Sequence, residues 1–178
     1  MNQPKIKPVL FDILPFLSIV IEQDVFIGVV LPKDLYKVGR FLRDSSLCRY
    51  KILTAISVVD YPERENRFEV VYELLSIYNH RFRLKTYVNE SSSLQSIVPL
   101  YPCANWWERE AWDLFGVFFI GHPDLRRILS DYGFEGHPLR KDFPLSGYVD
   151  LRYDENAKRV VIETLVMDQT FRVFNYNI

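Results

Sequence analysis

Asn105-Trp-Trp-Glu-Arg-Glu-Ala-Trp-Asp-Leu-Phe-Gly116 opens a stretch that continues through a loop-rich tract to Arg140-Lys-Asp-Phe-Pro144-Leu-Ser-Gly-Tyr148. It sets the domain layout because it marks where a sheet-rich domain ends and an extended region begins. All three tryptophans lie in its first eight residues, and five of the seven glycines (116, 121, 133, 136 and 147) lie within it. The opening predicts a short helix with both ends marked. Asn105 is placed to cap the first free N–H groups, Glu108 to reach back as in a capping box, and Gly116 to stop the helix at positive φ. Trp107, Ala111, Leu114 and Phe115 follow helical spacing and form one apolar stripe, with Glu108, Arg109, Glu110 and Asp113 on the remaining surface. Arg109 and Asp113 are four apart and spaced to pair across one turn, for about 0.2–0.5 kcal/mol on an exposed helix. A solvated charged face would explain that much. Trp106 and Trp112 lie off the stripe, however, and a helix apolar on more than one side buries more than one side, within its own domain or against another protein.

Working back toward the N-terminus, residues 1–17 hold three prolines and no clean period, a terminal arm with one helical turn around Leu10 to Leu14. Ser18 to Leu31 is β-branched on either side of Glu22-Gln-Asp24 and predicts a hairpin. Pro32 begins a helix whose inward face is Leu35, Val38 and Leu42 and which ends near Asp44-Ser-Ser46. Tyr50 to Val59 predicts a central strand, followed by strands over Phe68 to Tyr78 and Phe82 to Val88. In the last of these, Phe82, Leu84 and Thr86 alternate with Arg83, Lys85 and Tyr87, so one sheet face is partly wet. Ser91-Ser-Ser93 with Gln95 predicts a second helix start, closed by Pro99 and Pro102. Beyond the marked stretch, Val149 to Tyr153 and Val160 to Val166 form a hairpin, and the aromatic tail of residues 168–178 is expected to lie on a neighbour. The fold class is α+β: a mostly antiparallel sheet with flanking helices over residues 18–115, then an extended interface region over residues 116–178.

Composition narrows the function. At 178 residues and 48% apolar, one domain burying roughly 70% of its unfolded surface is the default. The net charge of −1 disfavours a nucleic-acid binder, and between residues 105 and 148 acids outnumber Lys plus Arg, seven to five. Cys48 and Cys103 stand far apart in no ligand spacing, fewer than the four cysteines an iron–sulfur cluster usually needs. Buried reduced thiols are a simpler reading than a disulfide. No apolar run reaches the roughly 18–20 residues of a membrane helix, and the first 25 residues match neither a secretory signal nor a basic transit peptide.

Two Gly-His-Pro triplets (121–123 and 136–138) bring His122 and His137 near Asp124, Asp131 and Asp142, the one cluster with metal or acid/base chemistry in its residue types. Each His is held between Gly and Pro, and no metal-ligand spacing accompanies it. Arg126-Arg127 and Arg140-Lys141 are basic pairs without a glycine-rich phosphate loop. Their expected role is fork-like hydrogen bonding to carboxylates or carbonyls, inside the chain or across an interface. A proline- and glycine-containing tract with bulky aromatics does not fill a core alone, so a partner contact is expected there.

Glu108-Arg-Glu-x-Trp-Asp-Leu-Phe-Gly116, Gly121-His-Pro-x-Leu-Arg-Arg-Ile-Leu129, Gly133-Phe-x-Gly-His-Pro-Leu-Arg-Lys-Asp-Phe-Pro144 and Gly147-Tyr-Val together resemble the signature of the 30 kDa subunit family of respiratory complex I, NADH:ubiquinone oxidoreductase. Plastid and hydrogenase relatives share part of the pattern; the longer match through Tyr153 favours the NADH-linked mitochondrial or alphaproteobacterial type. The resemblance implies a core subunit of the hydrophilic arm that holds no redox centre. FMN and iron–sulfur clusters would belong to partner subunits, with this chain supporting quinone reduction on the 49 kDa subunit, near the subunit bearing the terminal cluster. It implies a peripheral place on the matrix side of the mitochondrial inner membrane, or the cytoplasmic side of a bacterial one. Four alanines beside 13 Phe and 11 Tyr fit an AT-rich mitochondrial genome. The implied partner contacts are Trp106, Glu108, Arg109, Glu110, Trp112, Asp113, His122, Arg126, Arg127, Asp131, His137, Arg140, Lys141 and Asp142. The C-terminal Asn175-Tyr-Asn-Ile178 departs from the proline- and tryptophan-containing ending of many relatives. The competing reading is a free-standing metal-dependent hydrolase using His122, His137 and Asp131; a nucleic-acid adaptor is a third, which the charge disfavours.

Overall fold

Alternation of apolar and polar side chains with a period of two builds a five-stranded sheet. The computed structural model describes residues 14–22, 25–78, 80–167, 169, 172 and 174. Its strands are β1 (Phe16–Glu22), β2 (Val25–Val30), β3 (Ile52–Asp60), β4 (Phe68–Leu75) and β5 (Arg81–Val88), in the spatial order β1-β2-β5-β4-β3. All neighbours are antiparallel except β2 and β5. That exception follows from chain order: after β2 the chain crosses to the far edge as β3, and two antiparallel returns bring β5 back beside β2. The hairpin expected around residues 22–24 is β1–β2, and the first strand starts at Phe16, two residues earlier than expected.

Register puts one set of side chains on a single face. Tyr72 opposes Leu84, Leu74 opposes Phe82, and Phe82 in turn neighbours Phe26. Leu35, Val38 and Leu42 of helix α1 (Leu35–Asp44) close over this face, with a 3-10 turn at Pro32–Asp34 leading in as the proline predicted. The opposite face is mixed: Lys85 pairs with Glu69 at 2.7 Å and Arg83 pairs with Glu73, beside buried Ile27 and Val71. The partly wet face read from the alternation in β5 is therefore present.

Two expectations are corrected. Ile52–Asp60 is an edge strand rather than a central one. Its apolar residues alternate between buried and exposed positions, and a register shift near Ala55 irregularises its pairing. The predicted helix after Ser91 is absent. Ser92 folds back, its hydroxyl accepting from the Asn89 N–H and donating to the Asn89 carbonyl, both at 3.1 Å, a local side-chain turn that competes with helix. Strand β6 (Ser93–Gln95) follows, parallel to β7 (Phe118–Ile120).

Between β6 and β7 runs α2 (Ala104–Phe115), which packs on β3. The chain divides into two compact units, Met1–Asp142 and Phe143–Ile178, so the first includes the loop tract after Gly116. The second contains the expected hairpin, β8 (Val149–Asp154) with β9 (Arg159–Thr164). The helical turn expected around Leu10 to Leu14 and most of the tail from residue 168 fall outside the described residues.

Candidate interface around helix α2

The most buried residues of α2 include three ionisable ones. Glu108 and Asp113 are 0% exposed and Arg109 is 8% exposed, while Trp107, Leu114 and Phe115 are only half-buried. The expectation that Glu108 and Asp113 face a partner is therefore corrected: both are enclosed by their own chain. So is the capping box. The helix starts at Ala104 with no side-chain cap. Glu108 instead accepts from the Ser96 hydroxyl at 2.6 Å and the Ile97 N–H at 2.8 Å. Burial pushes its carboxyl up to about 7 against the opposing pull of those two donors. Through Glu108, the end of β6 is tied to the helix.

Asp113 organises the tract. One oxygen accepts three consecutive backbone N–H groups, Ile128 at 3.1 Å, Leu129 at 2.8 Å and Ser130 at 2.9 Å. The other accepts the Ser130 hydroxyl at 2.6 Å and Arg127 Nη1 at 3.0 Å. Successive N–H groups curled about one anion form a nest. Burial alone would raise this carboxyl, but the Ser130 hydroxyl and the backbone donors together lower it to about 2. The Arg109–Asp113 helical pair does not form. Asp113 is taken by Arg127, and Arg109 donates to the Arg126 carbonyl at 3.3 Å while lying 4.8 Å from the Trp106 ring centroid.

Arg127 and Arg140 act as forks, as their residue type suggested. Arg127 Nη2 donates to the Gly136 carbonyl at 2.9 Å; Arg140 donates through Nε to the Phe115 carbonyl at 2.6 Å and pairs with Glu90. Gly116 makes the approach of Arg140 feasible: its φ is +78°, and an added Cβ would sit 2.5 Å from Arg140 Nη2 and 2.6 Å from His137 Nε2.

Both histidines are engaged by backbone. His122 accepts the Asp124 N–H at Nδ1, 3.1 Å, which leaves Nε2 to donate to the Asn105 carbonyl, 3.1 Å. His137 Nδ1 donates to the Asp113 carbonyl at 2.9 Å, and burial, with Arg140 and Arg127 nearby, lowers its pKa. Among the described residues no three His, Cys, Asp or Glu side chains are grouped to hold a metal. Nothing here supports the hydrolase reading: His122, His137 and Asp131, which accepts its neighbour Tyr132's N–H, serve separate turns.

The other expected residues divide by exposure. Trp106 (64% exposed), Arg126, Asp131, Lys141 and Asp142 reach solvent, and Glu110 is half-buried. Trp112 packs edge-on against Phe118 and His137. Sequence reasoning missed a second anchor of the tract. Asp60 holds Arg67 through two bonds of 2.7 and 2.8 Å and accepts the Lys141 N–H at 2.7 Å, while Arg67 also reaches Asp142 at 2.9 Å. Opposite charges at the ends of two strands joined in a hairpin were the available signal. Cys48 is buried as expected; Cys103 is exposed, and both are free thiols.

Residues 29–149, from within β2 to the first residue of β8, match the family described as respiratory-chain NADH dehydrogenase, 30 Kd subunit. The chain is 57% identical over 148 residues to NADH-ubiquinone oxidoreductase subunit 9 of Prototheca wickerhamii, covering 83% of this chain and 77% of that protein. It is 59% identical over 143 residues to NADH dehydrogenase (ubiquinone) iron-sulfur protein 3 of Beta trigyna, covering 80% and 74%. A mitochondrial protein of that latter name from Candida albicans is 55% identical over 146 residues, covering 82% and 52%. In fold, the chain resembles one from the membrane-bound sulfane sulfur reductase, an archaeal respiratory membrane complex, with a TM-score of 0.68 at 24% identity over 80% of this chain and 85% of that one.

Proposed function

The chain belongs to the 30 kDa subunit family of respiratory-chain NADH dehydrogenase and is a core subunit of NADH:ubiquinone oxidoreductase, and from that premise we propose that it works by positioning. It docks on the 49 kDa subunit, near the subunit bearing the terminal iron–sulfur cluster, and supports quinone reduction there without a redox centre of its own. Although some relatives are named iron-sulfur proteins, this chain has two cysteines, so the clusters and FMN are assigned to other subunits. No helix among the described residues is long and apolar enough to cross a membrane. We place the chain on the matrix side of the mitochondrial inner membrane, held there through the complex.

The observation that carries the reading is how α2 and its tract use their polar groups. Carboxylates and guanidinium groups are turned inward to hold the tract's backbone, and large apolar side chains are left outside: Trp106, Leu129, Tyr132 and Leu139 are each more than half exposed. A surface of that composition suits protein contact. The test is mild detergent extraction, native separation with an in-gel NADH dehydrogenase stain, and cross-linking with identification of partner peptides. We expect the chain in a large NADH-oxidising assembly, with the tract cross-linked to the 49 kDa subunit. Entry into the assembly with cross-links only to other subunits would overturn the docking assignment.

A further inference from the structure

One side of α2 and the first turn of the tract enclose a cleft of about 520 Å³ containing Trp106, Arg109, Arg126, Arg127, Asp131 and Tyr132. Its charges are unequally used. Arg126 pairs with Asp124 at 2.9 Å, and Arg127 is taken up by Asp113 and the Gly136 carbonyl. Asp131 accepts the Tyr132 N–H at 2.8 Å. Arg109 differs from all of these: 8% exposed, it makes one hydrogen bond, from Nε to a carbonyl at 3.3 Å, and it has no carboxylate within ion-pair distance among the described residues. Its terminal N–H groups are given no acceptor by the described residues and stay open to the cleft, where an incoming carboxylate meets a guanidinium that is already largely desolvated.

The surroundings indicate what completes it. Trp106 lies beside the guanidinium at 64% exposure, and Tyr132, also in the lining, is 102% exposed. Trp, Tyr and Arg are the residue types that dominate binding energy at protein contacts, and a planar guanidinium presents donors matched to a carboxylate. We propose that the cleft is a docking pocket for a carboxylate on an acidic segment of another subunit of the complex, received by Arg109 and flanked by Trp106 and Tyr132. This rests on the chain's being a subunit of that complex. It goes further by naming the pocket, the anchoring residue and the chemistry of the occupant.

The test is made in the assembled complex carrying Arg109→Lys, which keeps the positive charge and places an amine in the cleft. A water-soluble carbodiimide joins an amine to a carboxylate only when the two touch. The expected result is a link from position 109 to an Asp, a Glu or a terminal carboxylate of another subunit, found by mass spectrometry and lost in Arg109→Gln. Arg109→Gln is further expected to lower the yield of assembled complex by at least about tenfold, with Arg109→Lys between it and the native chain. A link only to Asp124, Asp131 or another carboxylate of the same chain, or no link although the variant chain is in an NADH-oxidising assembly, overturns the pocket and leaves the subunit assignment standing. A variant and native chain both absent from any such assembly overturns both.

Discussion

Phe82 and Asp113 are both closed off from solvent, yet what encloses them differs in kind. Phe82, in the sheet, lies among other rings, with centroids 5.8 Å from Phe16, 6.4 Å from Phe26 and 5.5 Å from Tyr50. Asp113, on the helix, is ringed by five hydrogen-bond donors, four of them from the tract's Ile128, Leu129 and Ser130. Apolar burial is non-directional and shared, so the sheet's stability is spread over many side chains. The tract buries few of its apolar side chains, Val117 and Phe119 among them, and is fixed largely through directional bonds to two carboxylates, Asp113 and Asp60. Loss of one contact should therefore loosen the sheet everywhere but the tract locally.

Phe82→Ala is the larger blow. Removing a fully buried ring costs about 3–5 kcal/mol, and because strands on both sides lean on it the whole unit should unfold at lower denaturant. Protection of β4 and β5 amides from hydrogen exchange should fall with the denaturant midpoint. If the exchange changes stayed within the residues next to Phe82, the rest of β4 and β5 unmoved, the sheet would not be one shared structure.

Asp113→Ala sharpens the contrast from the other side. It strips the acceptor from the Arg127 guanidinium, three N–H groups and a hydroxyl, and unmet buried donors cost roughly 1–3 kcal/mol, more beside a charge. The tract can escape much of that by opening to water. The expected outcome is about 3 kcal/mol of lost local protection at Ile128, Leu129 and Ser130, with β4 and β5 unmoved. Equal deprotection of sheet and tract would show that the two are one cooperative structure.

The same contrast explains what could be read from the sequence. The sheet was legible because burial imposes a period: Phe82, Leu84 and Thr86 are inside and Arg83, Lys85 and Tyr87 are not, as alternation requires. Helix α1 was legible through Pro32 and its apolar face. The tract was visible as unusual but its bonding was not, since a carboxylate's partners depend on where a glycine-rich chain turns. Asp113 paired with Arg127 rather than with Arg109, its helical neighbour by spacing, and Glu108 served Ser96 and Ile97 rather than the helix end. Charged residues are read by default as solvated, and that default fails for these two.

Glu108 is where the contrast narrows, because its carboxylate sits in surroundings closer to those of Phe82 than of Asp113. It has two donors where Asp113 has five, and burial dominates, which is why one carboxyl is raised to about 7 and the other lowered to about 2. A carboxyl raised on folding favours the protonated native state. Its contribution is full below the unfolded value near 4.5 and is lost as pH rises through about 7. Asp113 and Asp60 run the other way, stabilising above the unfolded value near 3.8 and losing that as pH falls toward the acid range. Glu108→Gln keeps an acceptor for Ile97 or Ser96 but removes the buried charge. It should therefore destabilise by up to about 1 kcal/mol near pH 4.5, where little linkage gain offsets a weakened hydrogen bond, and stabilise by about 2 kcal/mol at pH 8, the linkage gain of roughly 3 less that cost. Urea midpoints of the native chain and the variant at the two pH values test this. A difference between them that does not change with pH would mean that Glu108 stays ionised when buried, and that its two donors hold it as firmly as five hold Asp113.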